Sequence, residues 1–175
     1  MNTRPPAEFA ALIDNLRDFI DTEVIPREDL RHAHDSEAVE RTAAELYAIA
    51  RSRGLGAPRA RLEDGGLALS WTECCAYLEQ AGRSFLGPQA LRCAPPTQPD
   101  VFALDRLGSP AQRARYLEPL MRGERKSCFA MTEPAPGVGS DPRMLRTSAR
   151  REGDGWVIDG HKWFISGAMR ADFAI

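Results

Sequence analysis

The sequence lacks any apolar run of roughly 18 residues, the length that a membrane-spanning helix needs. Its N-terminus also lacks a basic region followed by an apolar stretch and a small-residue cleavage site, so it does not resemble a secretory signal. These two absences predict a cytoplasmic location. A chain of 175 residues with 43% hydrophobic and 27% charged residues suffices for one domain, or for one domain and part of a second.

An excess of positive charge is also missing. The formal net charge is −2, which gives no electrostatic case for binding nucleic acid or an anionic membrane. The cationic side chains are almost all arginines, with lysine only at Lys126 and Lys162. We attach no function to that bias at this point.

No cysteine pair has the C-x-x-C spacing of a zinc or redox site, and the histidines are too scattered for a ligand set. We therefore predict no metal site and four reduced thiols, mostly buried as small apolar groups. His32-x-His34 is a weak metal candidate, for which an exposed loop is the favoured interpretation. The four cysteines are Cys74, Cys75, Cys93 and Cys128.

The first two thirds of the chain have the spacing of helices. Apolar residues three and four apart predict a helix from Ala7 to Val24, ended by Pro26, and a second from about Ser36 to Arg53. Gly54 follows the second helix, where it can supply a left-handed cap. Residues 54–69 are predicted to form a loop.

Two capping boxes predict later helix starts, because each pairs a serine with a Glu or Gln three residues on. Ser70 with Glu73 begins a helix to about Gly82 that is expected to bury Cys74, Tyr77 and Leu78. Ser109 with Gln112 begins one that stops near Gly123. Between them, the three prolines of residues 93–100 predict a loop to about Pro99, followed by a short helix that ends at Gly108.

After Arg125 the hydrophobic period changes from 3.6 to 2. Short strands are predicted at 128–132, 147–151, 156–160 and 163–166, with Gly153-Asp154-Gly155 as a turn. The order predicts an α+β protein, in which an N-terminal helical bundle (1–125) precedes an incomplete antiparallel β-barrel-like domain (126–175). The last strand has no neighbour to cover its edge, so the β domain is expected to be cut partway through.

Two segments of the β part could carry chemistry. In TEPAPGVGSDP (132–142), glycines allow close approach of the backbone to a ligand, and consecutive N–H groups can hold an anion. By itself this segment is more often a plain turn. In the predicted strand 163–166, the period places Phe164 and Ser166 on one face, suited to flanking a planar heterocycle. An aromatic pair in a core is the commoner alternative.

Taken together, CFAMTEPAPGVGSDP and DGWVIDGHKWFISGA closely resemble the start of the middle β domain of the acyl-CoA dehydrogenases. Upstream, GLGAPRARLEDGGLALSWTECCAYLEQAGRS and GSPAQRARYLEPLMRGE resemble that family's loop and helices. The turn is two residues longer than the family's commoner P-G-A-G-S-D. At 96–99, PTQP replaces the D-T-G-N found in the subgroup that LGPQALRCAPP resembles.

The resemblance implies FAD as cofactor and assigns contacts position by position. The segment from Phe129 to Thr132 would run along the flavin, with Thr132 meeting the pyrimidine side. Gly139 and Ser140 would meet the FAD phosphates, and Ser140 would also touch the acyl-CoA substrate. Phe164 would lie against the isoalloxazine, and Ser166 would hydrogen-bond the region of N5. The full set of implied cofactor contacts is Phe129, Ala130, Met131, Thr132, Gly139, Ser140, Phe164, Ile165 and Ser166.

By the same resemblance, the function is α,β-dehydrogenation of an acyl-CoA with hydride transfer to flavin, electrons passing to an electron-transfer flavoprotein, in a homo-oligomer. The family's catalytic base is a glutamate of a C-terminal helical domain, which is expected beyond Ile175. Glu133 follows a strand and precedes a proline, so we interpret it as structural. Activity of this chain alone is therefore not expected. One alternative is a non-catalytic remnant, or a partner subunit of a complete homologue. Another, within the enzyme class, is an oxidase or flavin monooxygenase that shares the same scaffold.

Overall fold

The computed structural model describes residues 6–28, 35–137 and 139–175, except for the side chain of Ser36. His32 and His34 lie outside the described residues. The chain divides into two compact units, Met1–Arg125 and Lys126–Ile175. Within the described part, no helix is both long and apolar enough to cross a membrane.

The first unit is helical. It contains α1 (Pro6–Phe19), α2 (Ser36–Ser52), α3 (Trp71–Ala81), α4 (Gly87–Ala90), α5 (Thr97–Leu107), α6 (Pro110–Gln112) and α7 (Glu118–Arg122). A π-helical turn (Ile20–Val24) and a 3-10 turn (Ile25–Arg27) extend α1, and a second π-helical turn (Arg113–Leu117) joins α6 to α7. A 3-10 turn, Leu62–Asp64, interrupts the loop before α3.

The predicted helix boundaries at the capping residues are confirmed. The Ser70 hydroxyl accepts from the Glu73 N–H, and the Glu73 carboxylate accepts from the Ser70 N–H at 2.8 Å. Ser109 and Gln112 form the same reciprocal pair at α6. Gly54 has φ +69° directly after α2, the left-handed backbone that a glycine adopts readily. These local signals are strong because each satisfies backbone groups that a helix end leaves unpaired.

The core of this unit forms where α1, α2, α3 and α4 pack together. Its members are wholly or almost wholly buried apolar side chains, among them Leu16, Phe19, Leu46, Tyr77 and Leu91. Cys74 and Tyr77 are buried as predicted, but the prediction for Leu78 is wrong, since that side chain is 38% exposed. Leu78 follows Tyr77 by one position and so turns away from the face that packs inward.

Helix α5 begins earlier than the prolines suggest. It starts at Thr97, so the predicted loop to Pro99 is wrong at its C-terminal end, and a further short helix, α4, lies within the predicted loop. Pro99 occupies the first turn of α5. The missing N–H of a proline does no harm there, because first-turn N–H groups have no acceptor inside the helix.

The second unit contains β1 (Ser127–Cys128), β2 (Ser148–Glu152), β3 (Gly155–Asp159) and β4 (Phe173–Ala174). Strands β2 and β3 form an antiparallel hairpin, in which Arg150 pairs with Val157. Strands β1 and β4 pair in parallel, which the sequence pattern did not indicate. The α+β class is confirmed, and the sheets of the described residues are small, two-stranded and not closed.

Two strand predictions need correction. The strand predicted at 128–132 is shorter, covering Ser127–Cys128, and residues 163–166 do not form a strand. Phe164 has φ +49°, which is incompatible with extended backbone. The cysteine prediction is confirmed: all four thiols are free, and all but Cys75 are buried.

Candidate functional site

The segment from Phe129 to Thr132 runs between two other parts of the second unit. On one side, the Ala130 N–H donates to the Ile175 carbonyl at 2.6 Å, next to the pairing of β1 with β4. On the other side, the Trp163 N–H donates to the Thr132 carbonyl at 3.1 Å. The structure therefore places the two segments that the sequence assigned to one site, 129–132 and 163–166, beside each other.

Phe164 is the most unusual residue of this arrangement. Its backbone lies in the left-handed region, at φ +49°, and its side chain is 82% exposed. Left-handed backbone in a bulky residue costs about 1–3 kcal/mol and persists where surrounding contacts impose it. The Phe164 ring lies 4.7 Å, centroid to centroid, from the ring of Trp163. The alternative of an aromatic pair inside a core does not hold, since both rings are exposed.

Ser166 and Ile165 lie in a turn rather than on a strand. The Ile165 carbonyl accepts from the Ala168 N–H at 3.2 Å, and Gly167 within that turn has φ +80°. Ser166 is exposed and lies two residues after Phe164. The strand argument that placed Phe164 and Ser166 on one face is wrong, because it assumed extended backbone. Both side chains are nevertheless solvent-accessible.

A backbone hydrogen bond joins the two ends of the glycine-rich turn. The Glu133 N–H donates to the Gly139 carbonyl at 3.2 Å, and Gly139 has φ +50°. Gly137 packs closely on Glu133, since a Cβ added there would lie 2.8 Å from the Glu133 Cβ. Ser140, which follows the turn, is exposed. The predicted phosphate contacts, Gly139 and Ser140, are thus both exposed, and the Gly139 carbonyl is held by the Glu133 N–H.

Asp141 and Arg143 form a bidentate ion pair directly after that turn. The Arg143 Nη2 atom lies 2.8 Å from Asp141 Oδ2, and the Arg143 side chain is 86% exposed. The pair lowers the pKa of Asp141 and raises that of Arg143. The sequence reasoning did not single out Arg143, although its place three residues after the predicted phosphate contact Ser140 was an available signal.

Glu133 is tied by donors on both of its carboxylate oxygens. The Lys162 Nζ lies 2.8 Å from Oε1, the Thr147 N–H donates to Oε1 at 2.9 Å, and the Arg146 N–H donates to Oε2 at 2.6 Å. The Lys162 ammonium, followed by the hydrogen bonds from Thr147 and Arg146, lowers the pKa of Glu133 to about 2. Such a carboxylate is a poor proton acceptor near neutral pH. The geometry supports the structural interpretation of Glu133.

Lys162 is a site residue that the sequence reasoning missed. Its ammonium joins Glu133 to the carbonyl of Met131, which lies 3.1 Å from Nζ. The available signal was its place between two predicted contact segments, in a chain with only two lysines.

The helical unit contains a separate small cleft, which Tyr47, Arg92, Thr97 and Gln98 help to line. Tyr47 donates to the Met121 carbonyl, and burial raises the pKa of its hydroxyl. Burial lowers the pKa of Arg92, whose guanidinium lies 4.9 Å from the Tyr47 ring centroid. These contacts are internal to the unit. Among the described residues, no group of three His, Cys, Asp or Glu side chains is placed to hold a metal ion.

Chemically, the second unit presents an exposed aromatic ring at Phe164 and exposed hydroxyl groups at Ser140 and Ser166. That combination suits the binding of a planar ring system that carries hydrogen-bonding groups. The buried carboxylate of Glu133 in this unit already accepts hydrogen bonds from three donors.

The chain resembles known proteins along nearly all of its length. Residues 6–124 match the family profile "Acyl-CoA dehydrogenase, N-terminal domain", and residues 128–175 match "Acyl-CoA dehydrogenase, middle domain". The chain is 39% identical over 125 residues to the probable acyl-CoA dehydrogenase FadE2 of Mycobacterium tuberculosis, covering 71% of this chain and 30% of that protein.

Solved structures give the same result. A proposed acyl-CoA dehydrogenase from Mycobacterium abscessus superimposes with a TM-score of 0.80 at 36% identity, over 94% of this chain and 43% of that one. An acyl-CoA dehydrogenase complexed with FAD from Bacillus anthracis has a TM-score of 0.69 at 28% identity, over 97% of this chain and 28% of that one. The present sequence thus spans less than half the length of these relatives. Since two consecutive profiles of one family cover almost every residue, the chain belongs to the acyl-CoA dehydrogenase family.

Proposed function

We propose that this chain supplies one wall of the FAD site of an acyl-CoA dehydrogenase that desaturates an acyl-CoA thioester between its α and β carbons. The observation that carries the proposal is Phe164, an exposed aromatic ring in strained backbone beside the segment from Phe129 to Thr132. The relative from Bacillus anthracis was solved with FAD, which supports the same cofactor here.

The residues of the second unit suit this cofactor. Phe164 gives a flat face for the isoalloxazine, and Ser166 and Thr132 give hydroxyls for its polar edge. In this proposal, the bound flavin also meets the backbone of Phe129, Ala130 and Met131, and Ile165. Gly139 and Ser140 give an accessible stretch of backbone for the phosphates, and the Arg143 guanidinium lies three residues after Ser140.

The chemistry that FAD supplies when bound is acceptance of the hydride from the substrate's β carbon. This chain's own part is to bind and orient. By the same proposal, Ser140 also contacts the acyl-CoA. Proton removal from the α carbon is not assigned to Glu133, because a carboxyl with a pKa of about 2 is a weak base. As further proposals, electrons pass to an electron-transfer flavoprotein, and the chain functions in a homo-oligomer.

The test is a titration of the purified full chain with FAD, followed by quenching of flavin fluorescence. We expect saturable quenching, weakened about tenfold by Phe164→Ala, because an aromatic contact contributes about 0.5–1.5 kcal/mol beyond its buried area. Trp156→Ala is the matched control, since Trp156 is an exposed aromatic residue on β3 of the same unit. We expect that control to bind as the unsubstituted chain does.

Absence of saturable binding would overturn the proposal. If the chain binds no FAD but associates with a complete homologue, a non-catalytic partner subunit would be the better description. Anaerobic addition of an acyl-CoA to the FAD-bound chain separates binding from turnover. We expect the visible flavin spectrum to persist, since no base is assigned in this unit.

A further inference from the structure

A nearly buried ion pair joins Glu133, which directly follows the segment 129–132, to Lys162, which directly precedes the segment 163–166. Lys162 Nζ lies 2.8 Å from Glu133 Oε1, and the two side chains are 24% and 4% exposed. Most other ion pairs among the described residues are more exposed, as in Arg150 with Glu152 on the hairpin, at 68% and 61%. Exposed pairs of that kind contribute little, whereas a desolvated pair with further donors restrains geometry strongly.

Lys162 holds its neighbours at more than one point. Its ammonium donates to the Met131 carbonyl at 3.1 Å as well as to Glu133, and the next N–H along the chain, that of Trp163, donates to the Thr132 carbonyl at 3.1 Å. Three consecutive residues of one segment, 131–133, are thus fixed against two consecutive residues of the other. The residue after those two is Phe164.

Glu133 extends the same restraint to the glycine-rich turn. Its N–H donates to the Gly139 carbonyl, and its carboxylate receives the N–H groups of Arg146 and Thr147. Glu133 thus holds the turn that bears Ser140 through its backbone, whereas its side chain holds residues 146 and 147, which lead into β2. The Glu133 carboxylate thereby joins Lys162 to Arg146 and Thr147, the residues beyond the turn.

We infer that Glu133 and Lys162 are a positioning pair, which holds the Phe164 ring, the 129–132 backbone and the Ser140 turn in one geometry without contacting the cofactor. The inference rests on the proposed flavin site. Its physical basis is the backbone of Phe164: a left-handed φ in a bulky residue is kept only where neighbouring contacts impose it. The hydrogen bonds of Lys162 and Trp163 are the contacts immediately before that residue.

A lysine suits this role better than an arginine. Its compact ammonium can donate in separate directions to one carbonyl and one carboxylate, whereas a guanidinium presents a wider planar fork. The site uses one of the two lysines of a chain whose cations are otherwise arginines.

The experiment compares Glu133→Gln, Lys162→Met and Lys162→Arg in the full chain, with Glu152→Gln as the control that removes an exposed ion pair. Three quantities are measured. They are the FAD affinity from fluorescence quenching, the visible circular dichroism of bound FAD, and the rate of amide exchange at Trp163. We expect Glu133→Gln and Lys162→Met to weaken FAD binding about tenfold, to change the dichroism and to speed exchange at Trp163, because charge-assisted hydrogen bonds are lost. Lys162→Arg is expected to restore part of the affinity, and Glu152→Gln to stay within about twofold of the unsubstituted chain.

Each outcome bears on a different claim. Failure of the unsubstituted chain to bind FAD overturns the proposed function, and the positioning role with it. Binding by the unsubstituted chain, with unchanged affinity and dichroism in folded Glu133→Gln and Lys162→Met, overturns the positioning role alone. If either of those variants fails to fold, Lys162→Arg decides, since it retains the charge. Unchanged dichroism and affinity in that variant would also contradict the inference.

Discussion

Phe164 combines a conformational penalty with little burial. A phenylalanine at φ +49° is strained, and a ring that is 82% exposed recovers little of that energy by packing. Natural sequences retain such conflicts mainly where function needs them. Removing the side chain should therefore separate stability from cofactor binding.

We predict that Phe164→Gly leaves the thermal midpoint unchanged or raises it, because glycine adopts positive φ without the penalty of about 1–2 kcal/mol. The same variant should bind FAD more weakly. Trp156→Gly is the control, as Trp156 lies in β3 with its partner Arg151, where glycine weakens a strand. Thermal unfolding of both variants checks this. A clear loss of stability in Phe164→Gly would show that the ring is held by packing instead.

We predict that protonation of Glu133 contributes to the loss of unfolding free energy at acidic pH. Its folded-state pKa, about 2, lies below its ordinary value of 4.5, so the unfolded chain binds the proton more readily. The stabilisation from this group is present above about pH 4.5 and is lost as the pH falls toward about 2.

Denaturant unfolding at a series of acidic pH values measures this component. We expect Glu133→Gln to reduce the slope of unfolding free energy against pH in that window, and Glu152→Gln to leave the slope nearly as it was. Equal slopes in the unsubstituted chain and Glu133→Gln would contradict the assigned pKa.

At the scale of elements, local capping signals predicted boundaries better than periodicity did. Ser70 and Ser109 marked their helix starts correctly because a capping box satisfies orphan N–H groups within four residues. The helix start at Thr97 and the absence of a strand at 163–166 escaped prediction. A proline is tolerated in a first helical turn, so Pro99 did not exclude a helix start at Thr97. The left-handed backbone of Phe164 follows a hydrogen bond between residues distant in sequence, from the Trp163 N–H to the Thr132 carbonyl, which a window of sequence does not contain.

Helix α3 offers a direct test of that local energetics. Ser70→Ala removes the acceptor for the Glu73 N–H, so we predict a loss of about 0.5–2 kcal/mol in unfolding free energy. Ser52→Ala is a suitable control, since the Ser52 hydroxyl donates to the Ile49 carbonyl at the end of α2 and caps no N–H group. Urea unfolding of the two variants measures the difference. Equal effects would mean that the box contributes nothing beyond a surface hydrogen bond.

At the scale of the whole molecule, the α+β order and the family were readable from the sequence, because helical and strand periods occupy separate stretches. The candidate site was readable as a set of residues but not as a geometry. Thr132, Phe164 and Ser166 were identifiable from motifs, whereas the connection through Glu133 and Lys162 depends on side chains that are 29 residues apart. The parallel pairing of β1 with β4 is likewise a long-range contact, joining Ser127 to Phe173.

The central claim is that residues 129–132, 139–140 and 164–166 form the flavin-facing wall. At 19.3 kDa the chain is small enough for backbone amide chemical-shift mapping during FAD titration. The account predicts that the largest shifts fall on those residues and saturate together, with smaller shifts along the β2–β3 hairpin. Shifts that are confined to other residues of the chain, or that do not saturate, would contradict it.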